Sequence, residues 1–219
     1  MSSTNDTLRE RILEKLKDDI LTGVYRPGNR LLYKHLSQEY KVSMTPIREA
    51  LIKLEQEGIV KTIPRKGAYV IELTDQDVLE YTRIRFAMEA LAIEQICEKR
   101  IPRDEIRRLE EINVDLEAAV KDQESLRCLA KDVEFHHRIV EICGNQRLFT
   151  LIKQLPLTNF YAVRRNENRM LENGARIVGQ HRGIIDALCD YDAPAATLCL
   201  KENILIPQLS IIAGEPKTN

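Results

Sequence analysis

The chain has 219 residues, of which 43% are hydrophobic and 31% are charged, and its formal net charge is −1. This length suits one or two domains, and the composition is typical of a soluble globular protein rather than a disordered one. No apolar run approaches the roughly 18 residues that a membrane span needs, and the polar N-terminus is unlike a signal peptide. The five cysteines are never spaced as Cys-x-x-Cys, which favours reduced thiols and a cytoplasmic protein without a membrane partner.

The charge is distributed unevenly along the chain. Residues 1–73 contain 13 Lys and Arg against 10 Asp and Glu, whereas residues 74–219 contain 20 against 24. A positive first part and a negative second part favour a polyanion-binding domain at 1–73, followed by a domain of another kind at 74–219.

Residues 1–73 predict three helices and a hairpin. Thr45 is suited to cap the third helix and Pro46 to occupy its first position. The predicted elements are, in order, helices at 7–22, 31–40 and 46–56 and strands at 59–63 and 68–71. This order is the layout of a winged helix-turn-helix, in which the third helix enters the major groove of DNA.

The third helix has an inward apolar face and an outward face. The outward side chains are those of Met44, Thr45, Arg48 and Ile52, and Arg48 suits a guanine edge or a phosphate. The alternative for each such residue taken alone is an ordinary solvated helix face.

The tip of the hairpin is basic. Arg65, Lys66 and Gly67 are predicted to reach phosphates or a minor groove, because glycine allows close approach of the backbone. The alternative is an ordinary charged turn.

Residues 74–219 predict helices only, and therefore an all-α bundle. Thr74 is suited to cap the first of them. The predicted helices are 75–99, 102–122, 124–143, 145–155, 157–171, 174–190 and 194–212. The fold class is therefore mainly α, with an N-terminal winged helix-turn-helix and a C-terminal helical bundle.

One helix of the bundle carries a candidate metal-binding pair. Asp132 and His136 are four residues apart, so both project from one helix face, and His181 lies in a separate helix among apolar residues. A carboxylate and two imidazoles suit Zn²⁺, Ni²⁺ or a similar divalent metal. The alternative is a surface pair and a hydrogen-bonded histidine. His137 points about 100° away from His136 and is expected to be solvated.

Residues 22–70 contain a long ordered motif that is similar to the head of the GntR family of bacterial transcription regulators. Its segments include Pro27-Gly28-x-Arg30-Leu31, Val42-Ser43-x-Thr45-Pro46-Ile47-Arg48-Glu49-Ala50-Leu51 and Arg65-Lys66-Gly67. The resemblance implies that Arg30, Thr45, Arg48, Arg65, Lys66 and Gly67 contact double-stranded operator DNA. It departs at Met44, where members commonly have an arginine that touches DNA.

The second domain resembles the FadR-type effector domain through Asp132-x-x-Phe135-His136, Gly144-Asn145-x-x-Leu148 and His181-x-x-Ile184-x-x-Ala187-Leu188. The resemblance implies a divalent metal held by Asp132, His136, His181 and a further histidine, in whose place this chain has Asn203. Two alternatives follow: a metal with an open position for an effector oxygen, or a metal-free site in which these residues hydrogen-bond the effector directly.

Arg85 is the remaining candidate. It resembles a family arginine that faces the cavity and binds an effector carboxylate, which a guanidinium does with two hydrogen bonds. The alternative is a surface pair with Glu89, four residues further along the helix.

Three functions are compatible with these observations. The first is a homodimeric transcription factor whose affinity for DNA is controlled by a small-molecule effector. Thermal stabilisation of residues 74–219 by a ligand would separate this function from the third. The second is a metal-dependent hydrolase, against which no general base stands out near the candidate ligands. The third is a constitutive DNA-binding regulator with a vestigial cavity.

Overall fold

The computed structural model of the protein describes residues 3–155 and 169–206. The chain divides into two compact units, residues 1–73, here called the head, and residues 74–219, here called the body. Helices dominate both units, and a small antiparallel sheet completes the head. The predicted fold class is confirmed. None of the helices in the described part of the chain is long and apolar enough to cross a membrane.

The head contains the predicted winged helix-turn-helix. Its elements are α1 (Ser3–Leu21), β1 (Arg30–Leu31), α2 (Tyr33–Glu39), α3 (Met44–Gln56), β2 (Val60–Ile63) and β3 (Gly67–Val70). Helices α1 and α3 pack together, burying Ile12, Leu16 and Ile20 of α1. The inward face predicted for α3 is also buried, as at Ile47 and Leu51. Apolar residues at helical spacing therefore form the head core, as amphipathic helices require.

The first strand corrects the sequence-based prediction, which placed Leu31 in the second helix. The sheet has the order β1-β3-β2, and Leu31 of β1 pairs with Ala68 of β3. Leu31 is buried and belongs to the hydrophobic core of the head. A strand of two residues has no periodic pattern, so the sequence pattern assigns its apolar residue to the following helix.

The start of α3 is a second correction, because Thr45 does not cap the helix. Ser43 is the N-cap, with an extended backbone, and Met44 is the first helical residue. Pro46 therefore occupies the third position, still within the first turn, where a backbone N–H has no acceptor inside the helix. The consequence is that Met44 and Thr45 both lie in the first turn of α3.

The body is built from helices whose ends agree with the predicted ones to within two residues wherever both ends are described. They are α4 (Asp75–Glu98), α5 (Arg103–Lys121), α6 (Ser125–Ile142), α7 (Gln146–Lys153), α8 (Arg169–Glu172), α9 (Gly174–Cys189) and α10 (Ala193–Leu200). The predicted helix at 157–171 lies outside the described residues except at its end, which falls in α8. The predicted helix at 194–212 lies outside them beyond Ile206.

Helix α6 is central to the packing of the body. It packs against α4 and α5, and α9 packs against α5 and α10. Their buried faces include Ile93, Ile106, Phe135, Ile139 and Ile184, which are fully inaccessible. Thr74 caps α4 as predicted, since its side chain accepts from the backbone N–H of Asp77 and the Asp77 carboxylate accepts in return.

The helix that closes the described body is not a continuous α-helix. After Leu200 the backbone forms a π-helical turn over Lys201–Leu205. A π turn holds more residues than an α turn, so it rotates the following side chains around the helix axis. The predicted uninterrupted helix from 194 is therefore corrected at this turn, which contains Asn203.

Two glycines of α9 provide a test of the packing between α5 and α9. A Cβ added at Gly174 would lie 2.5 Å from a methyl carbon of Val120, whereas one added at Gly179 would meet nothing within 4 Å. We expect Gly174→Ala to lower the free energy of unfolding by about 1–3 kcal/mol through overpacking. Gly179→Ala, the matched control, raises it by about 0.5–1 kcal/mol because alanine favours the helix. Chemical denaturation measures both, and equal effects would contradict the described contact.

Candidate functional site

Three predicted side chains meet inside the body. Helix α6 supplies Asp132 and His136, one turn apart, and α9 supplies His181. All three are at most 4% exposed, and one potential ligand atom from each lies within 4.8 Å of the others. A surface pair with a distant histidine is therefore not what the chain forms.

The potential ligand atoms of this cluster lie close together, at distances longer than those of a strong hydrogen bond. Asp132 Oδ1 lies 3.4 Å from His181 Nε2 and 3.8 Å from His136 Nε2. Both distances exceed the roughly 2.7–3.2 Å of a hydrogen bond, and neither nitrogen has a hydrogen-bond partner among the described residues. Buried polar atoms are normally satisfied. Three potential ligand atoms around one point are the arrangement that a shared divalent cation would require.

Glu89 of α4 is a member of the site that sequence reasoning did not place there. Its side chain is fully buried, and its Oε2 lies 2.6 Å from His136 Nδ1. Because a carboxylate can only accept, His136 donates from Nδ1, and in the neutral imidazole with this tautomer the lone pair lies on Nε2, on the side of Asp132. A carboxylate behind a histidine in this way orients it as a metal ligand.

Arg85 continues this chain of contacts. Its Nε donates to Glu89 Oε1 at 2.7 Å, and only 11% of its side chain is exposed. The predicted alternative of a surface pair is therefore wrong, since the pair is buried. Burial raises the pKa of Glu89, but the neighbouring His136 and Arg85 outweigh it and hold that pKa below its ordinary value.

The other titratable groups are also held in forms that can bind a metal. Burial raises the pKa of Asp132, but the contacts with His181 and His136 reverse this and bring it to about 2. Burial lowers the pKa of His181, against the opposing effect of Asp132. At neutral pH the site therefore offers an ionised carboxylate and a neutral imidazole.

Two aromatic side chains adjoin the cluster: His137, whose environment differs from the predicted one, and Phe135. His137 is not simply solvated: it is partly buried, and burial together with the charge of Arg85 lowers its pKa to about 4. Phe135 stacks on His181 with ring centroids 3.7 Å apart and planes 3° from parallel. This contact limits the rotation of the His181 ring.

Asn203 lies on the π-helical turn and is half-buried. Its Nδ2 donates to Oε1 of Gln180, the residue before His181. Gln180 in turn donates to the backbone carbonyl of Glu202. The turn is thus tied to α9 next to one member of the cluster.

Two buried polar residues were not predicted at all. Asn113 of α5 donates from Nδ2 to the backbone carbonyl of Val178, three residues before His181, while its Oδ1 has no partner among the described residues. Thr82 of α4, one turn before Arg85, is also buried, and its hydroxyl lacks a partner in the same described part of the chain. Single polar residues at helical spacing give no sequence signal that separates them from exposed ones.

The head presents a second candidate surface on α3. Met44, Thr45, Arg48 and Ile52 are exposed, as predicted for its outward face. The first turn of α3 also presents backbone N–H groups without helical acceptors, which suit phosphate.

The wing adds basic side chains to the head. Arg65 and Lys66 are exposed in the turn between β2 and β3, and Gly67 has a φ of +108°, which an L side chain rarely adopts. Arg30 reaches the same turn from β1, since a Cβ added at Gly67 would lie 3.4 Å from Arg30 Nε. The structure therefore places Arg30 beside the two basic residues predicted at the hairpin tip.

A buried carboxylate of α1 is hydrogen-bonded to the residue that ends α2. Asp19 is 5% exposed and accepts from the Tyr40 hydroxyl at 2.7 Å and from Lys15 Nζ at 2.6 Å. Burial and this hydrogen bond raise the pKa of Tyr40. Sequence reasoning missed Asp19 because its position resembles an ordinary charged position of α1.

Together these features define a class of protein, a regulator with a winged helix-turn-helix head and a helical ligand-binding body. Residues 8–70 match the gntR family of bacterial regulatory proteins, and residues 80–205, more than half of the chain, match the FCD domain. The chain belongs to the gntR family, and its body is an FCD domain. It is a transcriptional regulator of that family.

Individual relatives agree with this assignment. The chain is 32% identical to the HTH-type transcriptional regulator YdhC of Bacillus subtilis (strain 168) over 64% of this chain and 63% of that protein, just under two thirds of each. It is 27% identical to the gluconate operon transcriptional repressor of Bacillus licheniformis, over 88% of this chain and 80% of that protein. The solved structure of Escherichia coli McbR/YncC is similar in fold, with a TM-score of 0.74 and 22% sequence identity. The similarity covers 94% of this chain and 97% of that one.

The Asp19 contact gives a prediction about the head. Tyr40→Phe leaves a buried carboxylate oxygen without its donor, so we expect it to lower the free energy of unfolding of the head by about 1–2 kcal/mol. Tyr33→Phe is the control, because the described residues supply no hydrogen bond to the Tyr33 hydroxyl. Hydrogen exchange of α1 and α2 amides measures both, and equal protection in the two variants would contradict the role of Tyr40.

Proposed function

We propose that this chain is a homodimeric regulator that binds double-stranded operator DNA through its head and whose affinity for DNA is set by a small-molecule effector in its body. The observation that carries the proposal is the buried cluster of Asp132, His136 and His181, joined through Glu89 to α4. That helix begins at Asp75, two residues after the end of the head. A ligand that favours one position of α4 therefore acts on the helix that directly follows the head in the chain.

In the head, the proposed DNA contacts are Thr45 and Arg48 on α3, and Arg30, Arg65, Lys66 and Gly67 at the wing. Their exposure and charge support this role. A guanidinium on an exposed helix face suits a guanine edge, and basic side chains near a glycine suit phosphates.

In the body, we propose that Asp132, His136 and His181 hold a divalent metal such as Zn²⁺ or Ni²⁺. The fit of three mutually close ligand atoms, with Glu89 behind His136, supports this choice. A metal bound there supplies a positive centre and an open position for an effector oxygen. Asn203 is proposed to bind the effector rather than the metal, because an amide is a poor ligand for such ions.

The charges around the cluster favour metal-dependent binding of an organic acid. Asp132 and Glu89 contribute two negative charges and Arg85 one positive charge, and Arg85 is already paired with Glu89. A carboxylate effector would meet net negative charge in this interior, and a divalent cation reverses that sign. We therefore propose that Arg85 assists the effector but does not bind it alone. The unpartnered Thr82 hydroxyl is proposed to donate to a further effector oxygen, and the unpartnered Asn113 Oδ1 to accept from an effector hydroxyl.

Dimerisation is proposed because a single helix-turn-helix reads few base pairs, and a two-fold dimer matches a palindromic operator. Helix α4 supports this with an apolar stripe, since Ile84 and Leu91 are two turns apart and are 47% and 42% exposed. Regulation is proposed rather than catalysis.

The metal proposal predicts one divalent site per chain. After removal of metal with a chelator, Zn²⁺ titrated against a competing indicator should bind with a stoichiometry of one. His181→Ala should abolish this binding, and Glu89→Gln should weaken it about 10- to 100-fold because His136 loses its orienting partner. His35→Ala, an exposed histidine of the head, should leave it unchanged. Equal binding by the wild type and His181→Ala would contradict the site.

The DNA proposal predicts a specific effect at Arg48. Arg48→Ala should abolish selective binding to operator fragments without altering thermal stability, because its side chain is exposed. Wild-type affinity should fall steeply between 50 and 200 mM salt, by roughly 10³-fold or more if six or more phosphates are contacted. Arg107→Ala, an exposed arginine of α5, is the control. Gel-shift titration measures both, and an Arg48→Ala variant with a wild-type footprint would contradict the assignment.

A further inference from the structure

The outward face of α3 carries an apolar side chain in its first turn. Met44 is the first residue of the helix and is 54% exposed. Its neighbours on the same face are polar, with Thr45 beside it and Arg48 one turn further along. In a helix-turn-helix the N-terminal residues of the reading helix meet the base edges, so this position is one at which an apolar group has chemical meaning.

The major groove contains one apolar feature, the 5-methyl group of thymine. Met44 is unbranched and flexible, with a polarizable sulfur, so it adapts its contact to a methyl group better than a branched side chain does. It carries no hydrogen-bond donor for a guanine or cytosine edge. Resting on the proposed DNA-binding role of α3, we propose that Met44 is a specificity-determining residue that selects thymine through its methyl group.

The spacing along α3 locates that thymine relative to the base read by Arg48. Residues four apart are about 6 Å apart along a helix axis, and stacked base pairs are about 3.4 Å apart. The thymine contacted by Met44 therefore lies within about two base pairs of a guanine contacted by Arg48. Ile52 lies one turn beyond Arg48 and two turns beyond Met44, so it is further from this thymine than Arg48 is.

The test uses DNA that the protein itself selects. Wild-type protein is used to enrich binding sites from random double-stranded oligonucleotides, and each thymine of the enriched site is then replaced by deoxyuridine, which lacks only the methyl group. At one position per half-site we expect the replacement to weaken binding about fourfold, which is the affinity that burial of one methyl group contributes. In Met44→Ala that replacement should have no effect, while Val24→Ala, also exposed but outside α3, should keep the full effect.

A second variant adds a positive readout. Met44→Arg should enrich sites with guanine in place of that thymine, since arginine favours the guanine edge. A wild-type site that tolerates deoxyuridine at every position, or an equal loss in Met44→Ala, would overturn the proposal for Met44. Failure to enrich any sequence would instead overturn the DNA-binding role of the head.

Discussion

A carboxylate in a protein interior must be compensated, and Glu89 is compensated from two helices. Arg85, on its own helix α4, donates to one oxygen, and His136 of α6 donates to the other. Removal of either partner would leave a buried charge without full compensation, so the mutual position of α4 and α6 is fixed at this point. The same contact determines which nitrogen of His136 faces Asp132. The alignment of the helices and the chemistry of the site therefore depend on one interaction.

This arrangement gives the body a means of responding to a ligand. Helix α4 has Glu89 within the cluster and its first residue close to the end of the head in the sequence. A ligand that binds one position of α4 better than another shifts the population of the two, and a tenfold change in affinity for DNA needs only about 1.4 kcal/mol of such a preference.

The sequence predicted most of the fold because its helices are regularly amphipathic and their ends are marked. Thr74 caps α4, Pro102 precedes α5, and Gly58 follows α3 with a positive φ. It missed strand β1, which is too short to show a period. In the site it identified Asp132, His136 and His181 as candidate ligands of one metal, but local spacing supported only the Asp132–His136 pair, since contacts between helices distant in sequence are not encoded in local spacing. Glu89 and Asp19 were not recognised because a buried acidic residue has the same local pattern as an exposed one.

The π-helical turn at Lys201–Leu205 has a consequence for counting residues along the closing helix. Such a turn accommodates one residue more than ordinary helical geometry, so the segment on either side of it keeps its packing while the side chains between change direction. A chain one residue shorter at this point would return to regular geometry and present a different side chain where Asn203 now meets Gln180. Loss or gain of a single amino acid here would therefore change which side chain contacts α9, while the helices on either side of the turn keep their packing.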